Sequence, residues 1–452
     1  MRERTEGSRS PGFAEAISLR SDCVTVKSLL STFMRKIDNA ISPKRETLSP
    51  VTPVMAETNQ KLLDWLPASV LVPYLITAIA LALAYGSSFL LVDAMQFAGF
   101  QASAAGGIVS AGIIATLIGA IFAGRLAEYT GILPLIAVSS LVMAAAMTSF
   151  ALVGTGGLAF AYAGGVLLGF GWAVFYTLAP IQLIDRLKPS ARLEALTLLS
   201  GSQMLGIGGS APLGHFIADQ IGNPSAAYAF YAVFCVVAAV FAMFVQTRLK
   251  RQPQLSARAV ALSVPTSLSI LRGKTVLPVI MMGIGACIFA GLSTFQSIYA
   301  ASRGLSPNVF FLTFTVTTVA LRFSLASMIG KLPLARLALA LFVTTLIGIG
   351  LLVLNSGSAL LYVFASVLFA VGYGLTYSTL NAMVVNLASE RGLSISVASQ
   401  VFALAYFVGS FGFPYFGGLL IAAHGIDVAM LAMAGLVAIN IAIISQTLRR
   451  PM

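Results

Sequence analysis

The sequence predicts an all-helical integral membrane protein of twelve crossings, built as two similar six-helix bundles. Three observations carry that expectation. Of 452 residues, 58% are hydrophobic and only 9% charged, too little polar surface to cover a soluble chain of this length. Apolar runs long enough to span a bilayer recur along the chain from about residue 70. The basic residues beyond that point fall almost wholly on alternate connections between those runs.

A helix crosses the hydrocarbon core in about 20 residues, and backbone in lipid must be helical or closed into a barrel. Runs this long exclude the barrel. The crossings, spans 1 to 12, are expected near 70–94, 104–123, 133–153, 157–183, 195–219, 226–246, 276–301, 308–329, 335–354, 358–386, 394–423 and 428–447. Turn-forming stretches such as "TGILP", "GNPS", "RGLSPN" and "NSGS" separate them.

The formal net charge of +12 is explained by topology rather than by nucleic-acid binding. With the amino terminus inside, the cytoplasmic connections and carboxyl terminus receive fifteen basic residues, among them Arg125, Arg186, Arg248, Arg272, Arg336, Arg391 and Arg449. Arg303 lies outside and Arg322 within a span. This is the positive-inside pattern, and it places both termini in the cytoplasm of a bacterial-type inner membrane.

The chain also repeats itself. "GFGWAVFYTLAPIQLIDRLKPSAR" and "GYGLTYSTLNAMVVNLASERG" share Gly-x-Gly and a tyrosine, starting 203 residues apart at Gly169 and Gly372. Pro212 matches Pro414, Gly222 matches Gly425 and Gly124 matches Gly330 at nearly the same offset. Residues 68–246 and 276–452 are therefore expected as two bundles joined by a basic linker, 247–275. Internal repeats of this kind are typical of secondary transporters, whose substrate site lies at mid-membrane between the halves.

Between spans 2 and 3 stands "GRLAEYTGIL". Over roughly residues 68–447 the chain resembles the major facilitator superfamily, whose signature at this place runs Gly-x-Leu-Ala-Asp-Arg-x-Gly-Arg-Arg. Gly124, Leu126, Ala127, Glu128 (for the Asp) and Gly131 match it, while Tyr129 and Ile132–Leu133 stand where basic residues would be. The resemblance implies a conformational latch at Gly124, Glu128 and Gly131 that holds the outward-facing state. Span 5 carries "GSQMLGIGGSAPLG", similar to a glycine-proline pattern of exporters in the family, and "GSFGFPYFGG" echoes it in span 11. Helix packing alone also explains both. Span 4 lacks the family's Arg-x-x-Gln-Gly, because Gly165 and Leu168 take its polar places, which counts against a standard drug/proton antiport mechanism.

Arg322 is the sharpest single candidate. It lies eight residues before Gly330, about 12 Å along a helix. Charges at such depth are costly and usually face a cavity or a partner, and a guanidinium suits a carboxylate or phosphate. The plainer alternative is snorkelling to headgroups. Gln203, Gln296, Asn381 and Gln400, with Tyr85, Tyr176, Tyr299, Tyr377 and Tyr406, are candidates to line the same site. Taken singly, each also fits a helix–helix hydrogen bond. Asp93, at the outer end of span 1, is the candidate for proton coupling, set against a solvated interface residue. His215 with Asp219, and His424 with Asp427, fit either a proton relay or solvated helix ends.

Residues 1–67 carry ten Lys/Arg and eight Asp/Glu and hold no signal-peptide core. Val26, Leu30, Phe33, Ile37 and Ile41 form a helical stripe that would suit the membrane surface. A start at Met55, "MAETNQ", is the plainer reading, and a disordered tail a third. Cys23, Cys235 and Cys287 form no CxxC or paired framework, and no Walker loop, Gly-x-Ser-x-Gly or metal spacing is present. The expectation is therefore a transporter without enzyme activity, cofactor or metal, whose partners are the bilayer, a small-molecule substrate and a proton or other coupling ion. It is expected as a monomer. The substrate is expected to be a small organic solute, anionic if Arg322 binds it. The alternatives are efflux of lipophilic compounds and a transporter-like sensor.

Overall fold

The computed structural model describes residues 67–184, 189–249, 264–329 and 332–449. The amino-terminal stripe, the start at Met55 and Gly330 lie outside the described residues. Within these segments the chain is helical, with no strand among the described residues.

The first bundle comprises α1 (Ala68–Phe97), α2 (Ala104–Thr130), α3 (Ile132–Ala151), α4 (Val153–Ile184), α5 (Pro189–Ile221) and α6 (Pro224–Arg248). A short helix, Val264–Ile270, leads to α7 (Val276–Thr294, continued as Gln296–Ser302). Then follow α8 (Pro307–Ile329), α9 (Leu334–Leu354), α10 (Ala359–Glu390), α11 (Ile395–His424) and α12 (Ile426–Arg449). Gly157, with φ +67° inside α4, breaks the helix where the fourth span was expected to begin.

Ten of these helices are long and apolar enough to cross a membrane by length and composition. The two others, α5 and α8, are 33 and 23 residues long. α5 and α8 lie against each other, which shields the polar positions they carry from lipid. The face carrying the α1–α2 and α7–α8 connections is called the outer face, following the arginine distribution.

The packing repeats. In the first bundle α3 packs on α4 and α6, and α2 on α4; in the second, α9 packs on α10 and α12, and α8 on α10. Gly222 and Gly425, at φ +72° and +84°, end α5 and α11 in the backbone region that a Cβ disfavours. Pro212 and Pro414 both sit inside those helices. One expected match shifts. Gly171 faces Ser139 and Met143 of α3, whereas Gly372 faces Leu341 and Thr345 of α9. These two are the equivalent positions, at an offset of 201 rather than 203, which is also the offset from Tyr176 to Tyr377. The Gly-x-Gly motifs match by composition, but their helices superpose one glycine further along.

The bundles join along two seams. His215–Asn308, Gly208–Thr315 and Ser200–Arg322 step along the antiparallel pair α5 and α8. Along α2 and α11, Gly106 sits against the Pro414 carbonyl. Ser110 Oγ donates to Gly412 O at 3.4 Å and accepts from Tyr415 N at 3.0 Å. Glycine at 106 lets the two backbones approach to a distance that a side chain would block.

Candidate functional site

Trp172 and Tyr176 are four residues apart on α4, as Tyr373 and Tyr377 are on α10; that spacing puts each pair on one helix face. These faces meet at the middle of the bundle. Tyr85 of α1 stacks on Trp172 with centroids 4.4 Å apart. Tyr176 stacks on Tyr406 of α11 at 5.8 Å and meets Tyr377 edge-on at 6.4 Å. Tyr377 and Tyr406 are themselves edge-to-face at 5.8 Å. Phe89 of α1 stacks on Phe311 of α8 at 5.5 Å and touches Phe289 of α7, which stacks on Tyr373 at 4.8 Å. Stacked and edge-on pairs are the favoured arrangements of aromatic quadrupoles. Together they form one aromatic seam fed by both halves.

Arg322 enters this seam from α8. Its Nη1 donates to Ser200 Oγ on α5. Tyr176, Tyr373, Tyr377 and Tyr406 surround the guanidinium closely enough to act on its charge. The ion pairs among the described residues are Asp93–His215 and Arg303–Asp427, so no described carboxylate neutralises Arg322. Three donors in this region lack a partner: Arg322 Nε, Trp172 Nε1 and Gln203 Nε2. Gln203 is buried and lies three residues, nearly one turn, beyond Ser200 on α5. A buried donor without an acceptor is costly, so each of these three is a group whose hydrogen bonding the described residues leave incomplete.

The candidate residues divide. Tyr85, Tyr176, Tyr377 and Tyr406 belong to the seam, with Arg322 and Gln203 beside it. Gln400 Oε1 and Asn381 Oδ1 are unpartnered buried acceptors. Asn381 follows Tyr377 by one turn of α10, and Gln400 stands two residues before Phe402, which meets Tyr377 edge-on at 5.1 Å. Gln296 and Tyr299 lie elsewhere. Gln296 Nε2 donates to the Tyr362 hydroxyl at 2.5 Å, and the Tyr299 hydroxyl donates to Leu352 O at 2.7 Å. Both join α7 to α9 and α10 inside the second bundle.

Asp93 is tied rather than simply solvated: its Oδ2 lies 2.8 Å from His215 Nε2 and accepts from Ser297 Oγ at 3.0 Å. His215 thus pairs with Asp93 rather than with Asp219. Asp427 pairs with Arg303 at 2.6 Å. At the other face, Gly124 is buried in α2, Glu128 is exposed, and Gly131 closes the helix through its N–H to Ala127 O at 2.8 Å.

Sequence reasoning missed Trp172, Tyr373 and Ser200. Rings and a serine within apolar runs do not differ from packing residues by composition. The matching spacings Trp172–Tyr176 and Tyr373–Tyr377 in the two repeats were the available signal.

A family model, the Major Facilitator Superfamily, matches residues 73–410. The chain belongs to the major facilitator superfamily. No curated protein matches it. Solved structures share the superfamily fold. The nucleoside transporter NupG aligns with TM-score 0.67 and 11% identity, over 83% of this chain and 99% of that one. The E. coli fucose:proton symporter FucP aligns at 0.56 and 17%, over 83% and 98%. An auto-inhibited peptide transporter of the POT family aligns at 0.62 and 13%, over 84% and 97%. This superfamily member is an integral membrane transporter of small solutes, not an enzyme.

Proposed function

We propose that this chain carries a small organic anion across the bacterial inner membrane by alternating access, with Arg322 as the counter-charge in the substrate site. The observation that supports this reading is the position of Arg322: a cation deep in a span, on the seam between halves, with tyrosines around it and no ion pair to a carboxylate among the described residues. Burying an unpaired charge is strongly unfavourable, and a carboxylate or phosphate on the substrate would supply the missing charge in a planar, bidentate geometry. Trp172 Nε1 and Gln203 Nε2 would donate to further acceptors, and the rings would cover the apolar body. Gly124, Glu128 and Gly131 act as the latch on the cytoplasmic face, and both termini lie on that side.

Ligand-dependent thermal stabilisation of the purified carrier tests this, with small organic carboxylates set against lipophilic cations. Carboxylates are expected to raise Tm, and Arg322→Gln to abolish the rise. Stabilisation by cations that survives the substitution would instead favour efflux of lipophilic compounds, for which the tyrosine faces supply cation–π contacts.

A further inference from the structure

The ring contacts of the central seam are of two kinds. Some lie within one half. Tyr85 lies on Trp172 with planes 10° from parallel and centroids 4.4 Å apart, and Phe289 lies on Tyr373 at 4° and 4.8 Å. Others cross between the halves. Tyr176 of α4 lies on Tyr406 of α11 at 18° and 5.8 Å, and Phe89 of α1 lies on Phe311 of α8 at 11° and 5.5 Å. Tyr176 also meets Tyr377 of α10 edge-on, at 89° and 6.4 Å. Each half thus keeps a parallel ring pair of its own and closes on the other half ring against ring. Arg322 stands among these rings, with Tyr176 of the first half and Tyr373, Tyr377 and Tyr406 of the second near enough to act on its charge.

We infer that the substrate is an aromatic carboxylate, whose flat ring replaces the ring contacts between the halves while its carboxylate meets Arg322. The inference rests on the anion reading above and narrows it. Alternating access parts the halves, and parting breaks the contacts that cross between them but not those within each half. The Tyr85–Trp172 and Phe289–Tyr373 pairs remain as walls, while Tyr176 and Tyr406 lose their partners. Water is a poor replacement for a ring, because apolar area then returns to solvent. A saturated body covers that area but is puckered and carries no matching quadrupole. An aromatic ring restores both the area and the offset-stacked or edge-on geometry. In a benzoate the carboxylate lies in the plane of the ring, so pairing with the guanidinium at its edge leaves both ring faces to the tyrosines.

Calorimetric titration of the purified full chain with benzoate and with cyclohexanecarboxylate tests this. The two ligands share charge and ring size, and burial of apolar area gives the saturated ring no disadvantage. Benzoate is expected to bind about fivefold more tightly, the ordinary contribution of aromatic pairing beyond area. Tyr176→Phe keeps the ring and should keep the ratio, whereas Tyr176→Leu should lower it at least about twofold. Tyr406→Leu is the second variant, and the comparison in the unaltered chain depends on neither. Equal or weaker binding of benzoate, or a preference unchanged in both leucine variants, overturns the aromatic class. Benzyl alcohol and Arg322→Gln separate the two readings. If the two carboxylates bind equally and Arg322→Gln abolishes both, the aromatic class fails and the anion reading stands. If benzyl alcohol binds as tightly as benzoate and Arg322→Gln changes neither, the ring preference stands and the anion reading fails.

Discussion

Tyr176 and Tyr377 occupy equivalent positions in the two repeats, and they meet each other edge-to-face at the centre of the bundle with centroids 6.4 Å apart. Two copies of one local pattern thereby become the two sides of one aromatic seam. Their contact lies where the halves must separate or slide during alternating access, within electrostatic reach of Arg322.

Arg322→Lys keeps the charge but loses the planar fork. Carboxylate affinity is expected to fall about tenfold in this variant and about a hundredfold in Arg322→Gln, because hydrogen bonds to charged groups contribute roughly 1.5–3 kcal/mol. Calorimetric titration measures both. Equal affinity in all three proteins would remove Arg322 from the site.

Trp172→Phe keeps a ring against Tyr85 and removes the unpartnered Nε1–H. If that donor meets substrate, affinity drops about three- to tenfold, the effect of one neutral hydrogen bond, while Tm moves by only a few degrees. A lowered Tm with unchanged affinity would assign Trp172 to packing alone.

Gly106→Ala puts a methyl group against the Pro414 carbonyl across the α2–α11 seam. Overpacking of this kind costs about 1–3 kcal/mol, and here it falls on the state in which the outer ends touch. Spin labels at Ile221→Cys and Leu360→Cys, both exposed and in opposite halves, should therefore shift toward longer distances. Gly209→Ala meets open space and should leave the distances unchanged. Gly165→Ala, which presses on Ile108 within the first bundle, should lower Tm instead.

Glu128→Ala removes the exposed carboxylate near the carboxyl-terminal end of α2. As part of a latch it should lower the transport rate in proteoliposomes several-fold without lowering Tm, since a surface charge contributes about 0–1 kcal/mol to stability. An unaltered rate would show that the loop serves packing only.

Much of the fold was legible because the signals for it are local. Gly222 and Gly425 end equivalent helices, as their shared offset implied. That α5 and α8 cover each other is something only their pairing reveals. Gln296 and Tyr299 looked as suitable for a site as Gln203 and Tyr176. Their partners Tyr362 and Leu352 lie 66 and 53 residues away in the chain, and no spacing rule connects them. Asp93 looked like a helix end in solvent until His215, 122 residues on, closed over it.

By itself the sequence determined that the chain crosses as helices and where those helices turn, because each crossing must satisfy its own backbone in lipid. Only the tertiary structure decided which polar side chains meet. In a membrane the lipid-facing and protein-facing sides of a helix are almost equally apolar, so hydropathy does not mark the inner face. Close approaches such as Gly106 to Pro414 set the rotation of each helix, and that rotation brings Arg322 to Ser200 and leaves Gln296 with Tyr362.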